Sequence, residues 1–397
     1  MVEWKKIEDL GSYFGGLTGK TKKDFEDGNA KFITYMNVFA NPSLDESTVG
    51  LVHINEGEKQ NRVQKGDILF TGSSETPDEA GMSCVVTDDL LEDYYMNSFC
   101  FGLRLNNPEQ YNLHYLKHLF RSYSIRNEIS KTASGVTRFN ISKARFGKVL
   151  IPVPSITEQT RIVGILDTFT ASIENLKQQI AQRRKQYEHY RDQLLDLEGK
   201  EGVEMKMLGE VCEIKGRIGF RGYTREDQVA PGEGALSLSP GNIVNGKMDY
   251  SDSTYISWKK YEESPEIMVY EGDVLFCKTG STVGKVAVAN DIPYKATINP
   301  QLVVLKDVRI GPKYLYFYLT TPYIQKVVKA LAGVGSVPNI SQAKLGELKI
   351  LLPSLSEQSR IVSILDTFET RIANLEQQLA QRERQYEYYR NKLLTFE

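Results

Sequence analysis

One stretch of this chain occurs twice. Residues 154–198 read PSITEQTRIVGILDTFTASIENLKQQIAQRRKQYEHYRDQLLDLE, and residues 353–397 read PSLSEQSRIVSILDTFETRIANLEQQLAQRERQYEYYRNKLLTFE; at a constant offset of 199, 28 of 45 positions are identical. Shared helical composition does not produce such identity, so the fold must contain the same element twice. Upstream, Asn140-Ile141-Ser142 matches Asn339-Ile340-Ser341 and Tyr115-Leu116 matches Tyr314-Leu315 at the same offset. Gly66-Asp67-Ile68-Leu69-Phe70 matches Gly272-Asp273-Val274-Leu275-Phe276 at a different one, so loops of unequal length intervene. The chain therefore divides into a variable domain over 1–153, a repeated segment over 154–198, a second variable domain over 199–352 and the second repeat over 353–397. Val203-Glu204, just after the first repeat, echoes Val2-Glu3 at the chain's opening. That return predicts a circular arrangement about a pseudo-twofold axis, with the termini close together.

The repeats are built as long paired helices. Ser155-x-x-Glu158 and Ser354-x-x-Glu357 fit the capping box that satisfies free amides at a helix start. Pro154 and Pro353 precede them, where a helix cannot extend backwards. Apolar residues then alternate by threes and fours: Ile162, Leu166, Phe169, Ile173, Leu176, Ile180, Tyr187, Tyr190, Leu194 and Leu197, with Arg183 in the one skipped slot. The second repeat has the same spacing from Ile361 to Phe396, with Arg382 at the equivalent slot. Alternation of this kind over five heptads predicts an antiparallel coiled-coil seam roughly 54 Å long. The two arginines either bury their stems with charged heads in water or fix the register of the seam.

The variable domains carry short strand-like runs at Asp67–Phe70, Val85–Thr87, Cys100–Leu105, Asp273–Phe276, Val286–Ala289 and Leu302–Leu305. Each turns helical near its end, over Tyr111–Arg126 and Pro312–Leu331, before the Asn-Ile-Ser element. The fold class is therefore α+β: two mixed α/β domains joined by two long helices.

Composition narrows the functions. The 397 residues are 41% hydrophobic and 25% charged, which is ordinary globular composition and excludes a disordered or fibrous chain. No apolar run is long enough to span a membrane and no signal peptide is readable at the N-terminus. Cys84, Cys100, Cys212 and Cys277 lie far apart, which predicts reduced thiols and a cytoplasmic protein. The net charge is only −2, so a nucleic-acid surface has to come from local charge separation.

Such separation exists. Between Lys117 and Lys148 lie eight basic residues (Lys117, Arg121, Arg126, Lys131, Arg138, Lys143, Arg145, Lys148) and one acid, Glu128. The second domain has a basic, glycine-rich run with Lys215, Arg217, Arg221 and Arg225, and another from Lys278 to Lys285 around Gly280 and Gly284. Glycine lets backbone approach a ligand closely, and Arg and Lys reach phosphates or guanine edges. A single patch of this kind is most simply a solvated basic face; comparable patches in both repeated domains point to DNA. The candidate contacts are Lys20, Lys22, Lys23, Lys131, Arg138 and Lys143 in the first domain, and Lys215, Arg217, Arg221, Arg225, Lys278 and Lys285 in the second.

Catalytic patterns fail on inspection. Gly280–Lys285 is one residue short of a phosphate loop and has Val286 where Ser or Thr belongs. His114 and His118 have helical metal-ligand spacing without the glutamate of HExxH, and read as histidines on a polar face. Asn299-Pro300-Gln301-Leu302 and Asp291-Ile292-Pro293-Tyr294 only approximate the (N/D)PP(Y/F) motif of an adenine methyltransferase, and Phe14–Gly19 is a weak methyl-donor loop. Pro77-Asp78 lacks a downstream partner for a nuclease site.

The order of variable domain, helix, variable domain, helix resembles the specificity (S) subunit of type I restriction–modification systems. The resemblance covers the whole chain. It is carried by PSITEQTRIVGILDTF and PSLSEQSRIVSILDTF, by the heptads ending in Tyr-x-x-Tyr-Arg-x-x-Leu-Leu, and by the Gly-Asp-(Ile/Val)-Leu-Phe and Asn-Ile-Ser elements. It implies two target recognition domains, each reading one half of a split, asymmetric DNA site. It implies helices that space the halves and dock two methyltransferase (M) subunits, with restriction (R) subunits as further partners. Catalysis would belong to those partners, and the chain would have no cofactor and no metal of its own. Two other classes stay open from the residues: a coiled-coil scaffold without DNA binding, and an enzyme acting on DNA by itself.

Overall fold

The structure is a computed structural model and describes residues 2–217, 224–333, 335 and 337–396. Arg221 of the glycine-rich run lies outside the described residues. The chain forms two compact units, Met1–Gln178 with Glu376–Glu397, and Gln179–Leu375. Compactness thus divides the chain through the middle of both long helices.

Both units are built on one plan. In the first, a four-stranded antiparallel sheet runs in the order Gly11–Gly15, Cys100–Leu105, Ile68–Thr71, Ser83–Val85. In the second, Glu213–Lys215, Leu302–Lys306, Val274–Cys277 and Val286–Val288 follow the same order and sense. A second, mixed sheet holds one parallel pair in each unit: Ala30–Ile33 beside Tyr94–Met96, and Gly234–Leu238 beside Ala296–Ile298. The second unit extends this sheet to five strands where the first has three. The predicted strands fall within two residues of these ranges.

Each expected helical stretch is two helices, Leu113–Leu119 and Tyr123–Ser130 in the first unit, Pro312–Leu319 and Pro322–Ala332 in the second. The break in the second unit has a clear cause. Thr321 caps the next helix, its hydroxyl accepting from the Ile324 amide at 3.5 Å, and Pro322 cannot donate backwards into the previous turn. In the first unit Ser122 stands at that place, its hydroxyl donating to the Leu119 carbonyl at 2.7 Å.

The strand Glu3–Lys6 pairs antiparallel with Leu150–Val153, and Glu204–Met207 pairs the same way with Lys349–Leu352. The echoed Val-Glu dipeptides therefore open equivalent strands, and each variable domain, termed a reader after the role the resemblance implies, is closed by its own two ends. From there the chain enters the long helices, Ile156–Leu195 and Leu355–Leu393. Ser155 and Ser354 cap them through the amides of Glu158 and Glu357, both at 3.3 Å. The reciprocal half of the capping box does not form. Both glutamates instead take a two-pronged bond from the arginine three residues on, Arg161 at 2.7 and 2.8 Å and Arg360 at 2.7 and 2.7 Å.

The predicted seam changes role along its length. Ile162 and Leu166 are fully buried in the first reader's core, with Ile7, Phe70, Tyr115 and Phe146. Ile361 and Leu365 do the same in the second core. Helix-to-helix contact begins beyond them and is antiparallel in each unit. Phe169 stacks on Tyr389 with centroids 5.3 Å apart in one unit, and Phe368 stacks on Tyr190 at 5.3 Å in the other. Arg382 lays its guanidinium 5.6 Å from the Phe169 ring, and Arg183 bonds Gln186 at 2.9 Å. All four cysteines are free and buried, and burial pushes the thiols of Cys84, Cys100 and Cys212 up to about 12.

Candidate nucleic-acid interface

The strand carrying Gly-Asp-(Ile/Val)-Leu-Phe leads in each reader to a loop that meets the Asn-Ile-Ser element. In the first reader Ser73–Ser74 pairs with Phe139–Ile141, Asn140 standing opposite Ser73. In the second, Thr279 stands opposite Asn339, its hydroxyl bonded to the Asn339 side-chain oxygen at 2.6 Å. Two motifs far apart in sequence thus frame one surface in both domains.

A tight turn borders this surface. Asn97 accepts the Phe99 amide through its side-chain oxygen at 2.9 Å, and the Phe99 carbonyl accepts the Gly72 amide at 2.7 Å. The second reader repeats the turn: Asn299 accepts the Gln301 amide at 3.0 Å, and the Gln301 carbonyl accepts the Lys278 amide at 2.9 Å. Asn299-Pro300-Gln301, a poor match to a methyltransferase motif, is this turn. Beside Phe99, the exposed Arg138 holds its guanidinium 5.1 Å from the ring centroid and bonds the Ser73 hydroxyl at 3.2 Å. Lys143 lies 5.3 Å from the Phe101 ring.

The basic run of the first reader separates into two kinds of residue. Lys117 is buried against Asp167 at 2.9 Å. Arg121 donates to the carbonyls of Ser83, Val38 and Asn41, and Arg126 to those of Asp78, Ala80 and Gly81. Burial pushes both guanidinium groups down to about 10, which leaves them charged at neutral pH and committed to loop carbonyls. Lys131, Arg138, Lys143, Arg145 and Lys148 are exposed. Of these, Lys131 pairs with Glu128 at 2.6 Å and lines an open groove of about 600 Å³ with Arg145, Lys148 and Trp4.

The other candidates divide similarly. Lys22 and Lys23 are exposed on a short 3-10 turn. Lys20 is not available: its ammonium is 2.6 Å from both the His53 carbonyl and Glu58, with 5% of the side chain exposed. That bond draws the Glu58 carboxyl down to about 2. Arg217 is not available either. It is 6% exposed and donates to the Ile298 carbonyl at 2.8 Å and the Thr297 hydroxyl at 3.5 Å. Sequence reading missed this because a basic, glycine-rich run looks the same whether its arginine points out or anchors the loop beneath. Lys215 pairs along its strand with Glu213 at 2.9 Å, and Lys285 donates to the Ile243 carbonyl at 3.1 Å. Arg225 is exposed and Lys278 is half-buried beside the Gln301 turn.

His118 is not on a polar face but buried. Its two ring nitrogens are spent on Asp167 and the Tyr386 hydroxyl, both at 2.8 Å, and no group of three metal ligands occurs among the described residues.

The family model for the type I restriction modification DNA specificity domain matches this chain twice, over residues 1–183 and 200–384. The chain belongs to that family. The type I restriction enzyme EcoR124I/EcoR124II specificity subunit of Escherichia coli is 33% identical over 262 residues, 63% of this chain and 63% of that subunit. The aligned part thus spans less than two thirds of the relative's length. The fold is shared with a solved S subunit of a type I restriction–modification system from M. genitalium, at a TM-score of 0.56 and 16% identity over 100% of this chain and 97% of that one. A chain solved in work on complex assembly and conformational transition of the type I system gives 0.64, at 19% identity over 99% and 97%. No helix among the described residues is long and apolar enough to cross a membrane.

In this specificity-family chain, the most telling residues overlooked in the sequence are the glutamines of PSxxEQ. Gln159 is 1% exposed, donates to the Pro154 carbonyl at 2.9 Å and accepts the Asn112 amide at 2.8 Å. Gln358 is 4% exposed, donates to the Pro353 carbonyl at 2.9 Å and accepts the Gly311 amide at 3.4 Å. Each pins its long helix to the helical layer of its reader. The aspartates of ILDTF do the same by charge, Asp167 with Lys117 and His118, and Asp366 with Lys313 at 2.5 Å. The signal was their identity in both repeats off the apolar seam.

Proposed function

We propose that the chain is the DNA-reading subunit of a type I restriction–modification complex. Each reader domain takes one half of a split, asymmetric site; the long helices set the spacing and dock two methyltransferase subunits, with restriction subunits joining as further partners. Methyl transfer and cleavage reside in those partners, and the chain itself is non-catalytic and works in the cytoplasm. The observation that carries this reading is duplication with divergence. Two readers share a sheet plan and are pinned to near-identical helices through Gln159 and Gln358, while their exposed loops differ. A scaffold without a sequence to read has no need of two different faces on one frame. The exposed cations Lys22, Lys23, Lys143 and Arg225, with the half-buried Lys278, are the groups proposed to meet phosphates, which fix register without reading sequence.

Exchange of residues 1–153 for another reader of this family tests it. In the complex with M subunits, the exchange changes one half of the methylated motif and keeps the other. Change of both halves, or salt-independent duplex binding, refutes it. Reversal of Arg225 and Lys278 to Glu should lower the log–log salt slope by about 0.9 for each phosphate that is no longer neutralised.

A further inference from the structure

The turns Asn97–Phe99 and Asn299–Gln301 are the same backbone presenting different chemistry. Both are closed twice over. The asparagine side chain takes the amide two residues on, and its carbonyl takes the next amide, Cys100 at 3.0 Å and Leu302 at 3.2 Å. The carbonyl of the presented residue is clamped by the neighbouring strand, through Gly72 and Lys278. Phe99 is nonetheless 55% exposed, and Gln301 is exposed. A large apolar ring held out of the core on a rigid turn, beneath a guanidinium, is not a packing residue.

The amide of Gln301 is also oriented. Asn299 uses its side-chain oxygen on the Gln301 backbone, so its nitrogen must donate, and it does so to Gln301 Oε1 at 3.1 Å. Gln301 Nε2 is left as a donor, on the side bordered by Gly280, whose φ of 96° keeps that position to glycine. A donor beside an acceptor with one lone pair remaining matches the N7 and N6 edge of adenine; a planar guanidinium backed by an aromatic ring matches O6 and N7 of guanine.

We propose that positions 99 and 301 are equivalent base-reading positions, Gln301 reading an adenine in the half-site of the second reader and Arg138, held flat by Phe99, reading a guanine in the half-site of the first. This rests on the DNA-reading function proposed above. Two readers on one frame must differ where they read, and here a rigid, exposed position flanked by the shared Asn-Ile-Ser frame differs most directly in chemistry.

The test uses the full S chain assembled with its M subunits. The wild-type motif is first read from the methylated host genome, then binding is measured on duplexes carrying each single base change. Gln301→Ala should cut discrimination at one adenine of the second half-motif roughly 10- to 100-fold and leave the first half untouched. Gln301→Glu, which can only accept, should shift that position toward cytosine. Phe99→Ala and Arg138→Ala should each relax one guanine of the first half. Unchanged motifs with intact binding overturn the proposal. So does a uniform loss across all sequences, the mark of a phosphate contact. A wild-type complex with no sequence preference would sink the DNA-reading function itself, and this proposal with it.

Discussion

In the first unit His118, 1% exposed, occupies the junction where the reader meets the long helices. In the second, Phe317 stands at the equivalent position, and the polar group is the half-buried Glu369, which accepts from Tyr316 at 3.3 Å and Tyr187 at 3.4 Å. Burial lowers the pKa of His118, partly offset by its bond to Asp167, with Lys117 and Arg390 opposing its charge. The ring is therefore neutral near pH 7: Nε2 donates to Asp167 and Nδ1 accepts the Tyr386 hydroxyl. Burial alone would raise Asp167, but His118 and Lys117 hold it well below the usual carboxylate range. Glu369 goes the other way. Burial raises its pKa, and Asp366 adds to the rise while Lys313, Lys247 and the Tyr316 hydroxyl work against it. One backbone plan thus tolerates opposite electrostatics, provided the apolar packing around it is kept.

The largest expected difference comes from removing the paired aspartates. Asp167→Ala strands Lys117 and His118 and should weaken the first unit by about 2–3 kcal/mol. Asp366→Ala releases only the more exposed Lys313 and should cost the second unit about 1 kcal/mol or less. Native-state hydrogen exchange at amides 113–119 and 313–319 reads the two effects separately, and equal effects would break the comparison. Next, Gln159→Ala should cost about 1–2 kcal/mol, more than Gln358→Ala, because the Asn112 bond is short and the Gly311 bond long. Denaturant titration of the two variants checks the order.

Smaller effects come from pH. The folded pKa of His118 is depressed, so its contribution is complete above about pH 6.5, the unfolded value, and is lost as pH falls. The first unit should weaken by up to about 1.4 kcal/mol per pH unit over that range. His118→Phe should abolish the dependence, and an unaltered acid limb in exchange at residues 113–119 would contradict it. The smallest effect belongs to Glu369. Its folded pKa is raised, so its contribution is present below about pH 4.3, the unfolded value, and fades as pH rises through the folded one. Glu369→Gln should leave the second unit at least as stable at pH 7 and flatten that slope. Destabilisation on thermal unfolding at pH 7 would show that the charged form is favoured.

The repeat made the frame legible. Identity at a fixed offset gave both helices and their Ser caps, because those positions answer to one geometry twice; the closing strands Glu3–Lys6 and Glu204–Met207 were marked only by the Val-Glu echo, at an offset of its own. The Phe169–Tyr389 and Phe368–Tyr190 stacks follow from the same alternation. What could not be read was direction. Ile162 and Leu166 carry the heptad pattern yet face the reader, since spacing names a face of a helix and not what covers it. Charge was equally mute: Arg121, Arg126, Arg217 and Lys20 hold carbonyls or a carboxylate, while Arg138, from the same basic run as the first two, is exposed. Phe99 and Gln301 were invisible as a pair because their turns align only through the strand pairings, at an offset other than that of the helices.

The division into units has a consequence during synthesis. The inner unit, Gln179–Leu375, is continuous and can complete its core as soon as it has left the ribosome. The other unit needs Leu394, 1% exposed in its core, and Tyr386 against His118. At about 5–20 residues per second, the roughly 200 residues in between take on the order of 10–40 s to translate. Through that interval the first reader waits with part of its core open. A nascent-chain experiment should find the first reader open to protease until residues 376–397 have emerged, although the rest of it is made first.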